Sequence, residues 1–169
     1  MDQQPSPSTL VPPVSASHAL AQLAPLVGTW RGEGRGVYPT IEAFDYVEEV
    51  TFVDVGKPFL VYHQRTWGQD GAPMHVEVGY LRAPAAGVVE LTMALPTGQT
   101  ENGSGTFTTD PLHLQLDCRV DNTPSAKRVD SSRRTLRVEG DVLETSFDMA
   151  AVGEPLHNHL RSRLTRLTS

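Results

Sequence analysis

The clearest pattern in this chain is a strict alternation of apolar and polar side chains around residue 115. Between residues 112 and 120 every second side chain is apolar, and the residues between them are polar or charged. Successive side chains of a β-strand point to opposite faces, so this segment predicts a strand with one buried and one solvated face. The apolar face consists of Leu112, Leu114, Leu116, Cys118 and Val120.

Segments of this kind recur along most of the chain and predict about ten strands in all. Connectors rich in Gly, Pro and Asp separate them, as at 69–71, 96–98 and 139–141, and such residues favour tight turns. Besides 111–120 and a glycine-rich segment near residue 30, the predicted strands are 44–52, 59–67, 74–82, 87–95, 135–140, 142–152 and 156–166.

The number and spacing of these strands indicate an all-β fold, either an antiparallel sandwich or a closed barrel. Closure removes the exposed edges that so many short strands would otherwise leave. We therefore expect an antiparallel up-and-down barrel of about ten strands, of the lipocalin or fatty-acid-binding type. A barrel of this size encloses more space than side chains fill, so a ligand cavity is also expected.

The N-terminal segment has a different composition. Residues 1–17 are rich in Pro, Ser and Gln, which predicts a disordered tail because little apolar surface is available to offset ordering. From His18 to Leu26, the apolar residues have helical spacing until Pro25 discourages continuation, which predicts one short helix. The folded domain is therefore expected to span residues 18–169.

Composition excludes several function classes. The 169 residues carry 14 Lys and Arg against 20 Asp and Glu, a formal charge of −6, which argues against a nucleic-acid binder. No apolar run reaches the roughly 18 to 20 residues that cross a bilayer, and the first residues lack the basic start of a secretion signal. We therefore expect a cytoplasmic protein without a membrane or nucleic-acid partner. One cysteine excludes an intrachain disulfide.

Signatures of common enzymes are missing from the sequence: it has no Gly-x-Ser-x-Gly, no phosphate loop and no His-Glu-x-x-His. Glycine recurs at positions 28, 32, 34 and 36, and in a strand this leaves one face bare for a bend, another chain or a flat ligand. Cys118 continues an apolar series, so we interpret it as a buried core thiol rather than a nucleophile.

Two histidines form the most informative polar pair. His157 and His159 are two residues apart in a predicted strand, so they could share a face and bind a metal, or they could form a solvated edge. Strand alternation favours the edge, since Leu156, Leu160 and Leu164 have the opposite parity. A bulge or a position at the barrel rim would reconcile His159 with an inward role.

An ordered set of motifs resembles the nitrobindins, a family of haem-binding β-barrel proteins. The resemblance spans roughly residues 20 to 167. It rests on GTWRGEG at 28–34, GVYPTI at 36–41, Tyr46-x-Glu48-Glu49, GKPF at 56–59, Tyr62-x-Gln64-x-Thr66, Pro73-Met74-His75-x-Glu77-x-Gly79-Tyr80-x-Arg82 and Pro155-Leu156-x-x-His159-Leu160.

This resemblance implies a ferric haem b held at one mouth of the barrel. His159 matches the histidine that binds the iron in the family and would be the catalytic and metal-binding residue, with His157 as its neighbour. Lys127 resembles a haem-contacting lysine and would approach a propionate as a point charge. The remaining residues expected near the haem are Thr40, Met74, His75 and Met149.

The family activity implied is the isomerisation of peroxynitrite to nitrate, together with binding of nitric oxide. A largely apolar wall is expected opposite His159, which argues against oxygen storage. Two alternatives remain open: a lipocalin-like, non-enzymatic carrier of an apolar ligand, which would not need His159, and a haem shuttle or nitric oxide sensor. Small molecules are thus the expected partners, and a homodimer is left open.

Overall fold

Ten antiparallel strands make up nearly all of the regular structure, as the alternation predicted. The structure is a computed structural model that describes residues 16–168; the predicted tail lies outside them, except for its last two residues. The strands are β1 (Gly28–Tyr38), β2 (Ile41–Asp54), β3 (Leu60–Gly68), β4 (Pro73–Ala85), β5 (Val88–Leu95), β6 (Gln99–Thr109), β7 (Leu112–Asn122), β8 (Val129–Glu139), β9 (Val142–Ala151) and β10 (His157–Arg166).

The strands form a closed barrel in which each strand pairs with its neighbours in sequence. Closure comes from β1, which pairs with β2 along one edge and with β10 along the other. The prediction of an up-and-down barrel is therefore confirmed, and the sandwich is excluded. Within residues 16–168 no helix is long and apolar enough to cross a membrane.

The N-terminal elements close one end of the barrel. A helix, α1 (Ala16–Ala21), is followed by a 3₁₀ turn (Ala24–Leu26), so the expected single helix over 18–26 is wrong in its start and its continuity. Leu23 and Leu26 are fully buried in the core, and the Leu26 carbonyl accepts a hydrogen bond from the Trp30 indole at 2.8 Å. This end is therefore filled by apolar side chains.

The glycines of β1 make room for aromatic rings from β2. Gly34 lies opposite Tyr46, and Gly36 lies opposite Phe44. A Cβ atom at Gly34 would overlap the Tyr46 ring, and one at Gly36 would overlap the Phe44 ring. The sequence left three explanations for these glycines: a bend, a flat ligand, or close approach of another segment. The structure shows the last, because rings from the neighbouring strand β2 occupy the space.

One strand, β6, was not among the segments singled out by alternation. Its sequence, QTENGSGTFTT, carries polar residues on both faces and two glycines. Gly105 packs directly against the backbone of Gln115 on β7, and Gly103 lies against the Cys118 thiol. Tight packing of the two strands therefore replaces the apolar side chains that would have marked β6 in the sequence.

Cys118 is buried in the core, as its place in the apolar series predicted. Burial and the nearby Glu101 carboxylate raise the pKa of the thiol to about 11. The thiol is therefore protonated at neutral pH, and it is a poor nucleophile.

Replacing Gly34 with alanine should destabilise the barrel by about 1–3 kcal/mol, because the new methyl group overpacks a filled site. Tyr46 cannot move away easily, since its hydroxyl is hydrogen-bonded to Ser162 at 2.8 Å. Urea unfolding measures the effect. The matched control is Gly68→Ala, where a Cβ would meet chiefly the exposed side chain of Asp70; equal losses in both variants would contradict this account.

Candidate functional site

A cavity of about 320 Å³ occupies the opposite end of the barrel from α1. This volume is typical of small-molecule sites, which span about 300–1,000 Å³. It confirms the expectation that the barrel encloses a ligand cavity. Its apolar lining includes Phe44, Met74, Leu95, Val120, Val129, Phe147, Met149 and Leu160.

His159 lines this cavity because β10 contains a bulge. The pairing of β10 with β9 shifts register between Asn158 and Leu160, which places the adjacent residues His159 and Leu160 on the same cavity wall. A bulge adds one residue to one strand and re-aims a side chain in this way. It resolves the conflict between strand alternation and an inward His159.

The tautomer of His159 is fixed by the backbone of the first strand. Its Nδ1 lies 2.9 Å from the Val37 carbonyl oxygen, and a carbonyl can only accept, so Nδ1 carries the proton and Nε2 keeps its lone pair. Burial lowers the pKa of the imidazole, helped by the charges of His157 and Lys127 and opposed by the Val37 bond. His159 is therefore neutral at pH 7, the form that binds metals.

His157 supports this arrangement from outside the cavity lining. Its ring stacks on Tyr38 with centroids 4.6 Å apart, and Tyr38 meets His159 edge-on at 5.1 Å. The His157 Nδ1 lies 2.6 Å from the Pro155 carbonyl oxygen, and the Tyr38 hydroxyl donates to the Ala151 carbonyl at 3.2 Å. The two histidines therefore do not converge on one point as a chelating pair would.

Four of the other predicted site residues lie around the same cavity. Met74 and His75 come from β4, Met149 comes from β9, and Lys127 comes from the loop between β7 and β8. Thr40 does not line the cavity; it is exposed in the turn between β1 and β2. A role in haem binding stays a prediction for all five residues.

The inner part of the cavity contains an ion-pair network that sequence reasoning missed. Arg134, on β8, donates two hydrogen bonds to Glu77 of β4 at 2.8 and 2.9 Å and one to Glu101 of β6 at 2.6 Å. Burial would raise the pKa of the Glu77 carboxyl, but Arg134 and His75 lower it to about 2. The Glu77 carboxylate and the Arg134 guanidinium are therefore both charged inside the barrel.

A third carboxyl group, that of Glu48, lies beside this network. Burial raises the pKa of the Glu48 carboxyl by more than hydrogen bonds from Ser162 and Gln64 lower it. The Gln64 amide donates to Glu48 at 3.1 Å. Glu48, Gln64 and Arg134 line a shared void of about 50 Å³. The inner part of the cavity is thus polar, although much of the remaining lining is apolar; an apolar wall opposite His159 stays a prediction.

These polar residues were detectable in principle, because each lies on the inward face of its strand. Glu77 has the same parity in β4 as the buried Leu81 and Ala83. Arg134 gave a weaker signal, since β8 is polar on both faces. What the sequence could not show is that β4, β6 and β8 bring them together across the barrel.

The side chains around the cavity favour a metal ion that is already coordinated within a prosthetic group over a bare metal ion. Within residues 16–168, no group of three or more His, Cys, Asp or Glu side chains could hold a bare metal ion. A neutral imidazole in a roomy, partly apolar cavity fits a metal whose other positions are already filled, as in haem. The fold and the site therefore define a β-barrel with a ligand cavity that has one neutral histidine in its lining and room for a prosthetic group.

Comparison with known proteins agrees with this class. Residues 19–166 match the model of the THAP4-like, heme-binding beta-barrel domain. The chain is 50% identical over 159 residues to the protein named peroxynitrite isomerase of Nocardia farcinica, covering 92% of this chain and 95% of that protein. It is also 50% identical over 151 residues to peroxynitrite isomerase 2 of Mycobacterium marinum, covering 87% and 94%.

A solved structure gives the same result. The crystal structure of Rv2717c from M. tuberculosis superposes with a TM-score of 0.86 at 46% identity, covering 89% of this chain and 98% of that one. The chain belongs to the THAP4-like, haem-binding β-barrel family, which is consistent with the resemblance to nitrobindins.

Replacing Glu48 with glutamine should stabilise the protein increasingly as pH rises. The pKa of the Glu48 carboxyl is higher in the folded state than in the unfolded state, where it is near 4.5. Above pH 4.5 the unfolded chain loses this proton more readily than the folded protein does, so the group destabilises the fold increasingly as pH rises. We expect the melting temperatures of E48Q and the wild type to converge near pH 4.5, and E48Q to melt a few degrees higher at pH 8.

The neighbouring Glu49 provides a control of opposite sign. A hydrogen bond from Arg65, opposed by partial burial and reinforced by Arg31, lowers the pKa of the Glu49 carboxyl. Its ionised form therefore stabilises the fold above pH 4.5, and E49Q should lose stability as pH rises. Parallel pH profiles for the two variants would contradict this assignment of Glu48.

Proposed function

We propose that this chain binds ferric haem b through His159 and isomerises peroxynitrite to nitrate. The observation that carries the proposal is the hydrogen bond from His159 to the Val37 carbonyl, which leaves Nε2 as a neutral donor at the cavity. The activity follows from relatives at about half identity whose names state it. Nitric oxide, a small ligand of the same iron, is a second ligand under this proposal.

The protein side of the mechanism consists of ligation, orientation and shielding. His159 would bind the iron with Nε2, and the Val37 carbonyl, which accepts from Nδ1, would keep the ring oriented and raise its basicity. Phe44, Phe147 and Leu160 would pack against the macrocycle and limit water, and Lys127 would pair with a propionate. Haem, when bound, supplies the iron at which peroxynitrite rearranges.

The carrier of an apolar ligand is less compatible with this cavity. Glu77 and Glu101 line its inner part as buried carboxylates that are ion-paired to Arg134. An alkyl chain entering there would remove what solvation these charges retain without replacing it. A haem shuttle or nitric oxide sensor would use the same ligand set, so haem binding is tested first and turnover second.

Replacing His159 with alanine should weaken haem binding more than about tenfold, because the iron loses its protein ligand. Absorption titration with ferric haem measures this: the wild type should give a sharp Soret band that saturates at one haem per chain. The matched control is His157→Ala, which removes an imidazole two residues away and should retain the saturating band.

Stopped-flow decay of peroxynitrite, with nitrate as the product measured, tests the activity. The haem-loaded wild type should accelerate decay beyond an equal concentration of free haem. Failure of the wild type to do so would overturn the isomerase while leaving haem binding intact. Equal spectra for H159A and the wild type would overturn the ligand assignment.

A further inference from the structure

The contact between β1 and β10 changes in kind at the cavity end of the barrel. Backbone pairing between the two strands ends where Gly36 lies opposite Leu160. Beyond that point β10 remains paired with β9, and β1 contacts it through the Val37 carbonyl and the Tyr38 side chain. The segment that carries His159 is therefore held on the β1 side by these specific contacts rather than by a ladder of backbone hydrogen bonds.

Tyr38, the last residue of β1, makes the more extensive of these contacts and is buried. Its ring stacks on His157 with 22° between the planes and meets the His159 ring edge-on at 72°. Its hydroxyl donates to the carbonyls of Ala151 at 3.2 Å and Met149 at 3.4 Å, both on β9. Because β10 lies between β1 and β9 in the barrel, the Tyr38 side chain bridges both neighbours of the strand that carries His159.

His157 restrains the Tyr38 ring in turn. The Nδ1 of His157 lies 2.6 Å from the Pro155 carbonyl oxygen, so this nitrogen carries the proton and anchors the imidazole to the loop between β9 and β10. The Tyr38 ring thus has a stacking partner on one face and hydrogen bonds at its tip. These two supports leave the ring little freedom to rotate.

The His159 imidazole meets three aromatic rings, of which Tyr38 is the nearest. The Tyr38 ring centroid is 5.1 Å away, whereas those of Phe44 and Phe147 are 6.3 and 6.4 Å away. Phe44 and Phe147 line the cavity, where a ligand would contact them, and Tyr38 lies outside the lining. Tyr38 can therefore restrain the imidazole in the same way with the cavity empty or filled.

We propose that Tyr38 is a positioning residue that sets the plane of the His159 imidazole, keeping Nδ1 on the Val37 carbonyl and leaving Nε2 as the ligating nitrogen. The inference rests on the proposed function, in which Nε2 binds the iron. Residues that orient a metal-binding histidine typically contribute about 10–100-fold to metal affinity. His157 acts one step further out, by holding Tyr38.

The first experiment uses the protein without haem, at pH 8, where His159 is neutral because burial lowers its pKa. The ¹⁵N signals of the imidazole show which ring nitrogen carries the proton. The wild type should give the Nδ1–H tautomer alone. In Tyr38→Leu the ring can turn away from the Val37 carbonyl, so the Nε2–H tautomer should appear as a second populated form.

Two variants provide the comparison for Y38L. Tyr38→Phe keeps the ring and its stacking on His157 and should therefore show a much smaller change in the tautomer. The matched control is Phe52→Leu, which removes an equally large ring from the apolar core. F52L should lower the melting temperature without changing the tautomer of His159.

The second experiment uses the haem-loaded protein. Titration with ferric haem should show about tenfold weaker binding by Y38L. After reduction, the iron–histidine stretching band in the resonance Raman spectrum reports the hydrogen bond at Nδ1. This band should move to lower frequency and broaden in Y38L, because the ring no longer donates steadily to Val37, and it should stay unchanged in F52L.

His157→Ala tests the same arrangement at a half-buried position and serves if Y38L does not fold. It should retain saturable haem binding, yet shift the Raman band in the same direction as Y38L and by less. In the Y38L/H157A double variant, the H157A substitution should have no further effect, because His157 acts through Tyr38.

Three results would overturn the proposal. These are an unchanged tautomer and Raman band in Y38L, equal changes in Y38L and F52L, and an effect of H157A that is undiminished in the Y38L background. Each differs from failure of the proposed function, which would show as no defined haem complex of the wild type. The NMR comparison needs no haem and decides in that case whether Tyr38 positions the ring.

Discussion

The pairing of β1 with β10 closes the barrel, and both ends of the molecule depend on it. At the cavity end it brings the Val37 carbonyl within 2.9 Å of His159, which lies 122 positions later in the chain. At the filled end, the Arg166 guanidinium of β10 lies 4.0 Å from the centre of the Trp30 ring. One seam between the first and last strands therefore joins the apolar core to the ligand-binding imidazole.

The interior of the barrel combines an apolar half with a charged one. Desolvation makes buried ion pairs weak contributors to stability, and apolar residues in their place often stabilise a protein. The Arg134 pairs with Glu77 and Glu101 are therefore poorly explained as structural supports. They make sense as the polar inner wall of a cavity that otherwise has aromatic and aliphatic sides.

Period-two alternation was sufficient for the barrel and for most of its strands, because it reflects the two faces of each strand directly. It failed for β6, where glycines allow close packing instead of side-chain burial. The family resemblance predicted His159 as the iron ligand, whereas strand alternation alone placed its side chain on the outer face. Alternation was misleading here because the bulge in β10 interrupts it. Pairings such as Arg134 with Glu77, 57 residues apart, depend on barrel geometry that no local pattern encodes.

The bulge in β10 makes the site sensitive to the length of this strand as well as to its composition. Regular pairing resumes at Leu160 and continues to Thr165, so the extra residue serves only the rim. Loss of one residue beside the bulge, such as Asn158, would restore simple alternation and leave room on the cavity wall for only one of the two adjacent side chains, the imidazole or the leucine. A chain could thus keep every motif residue, fold into the same barrel, and still lose its ligand through a change in spacing.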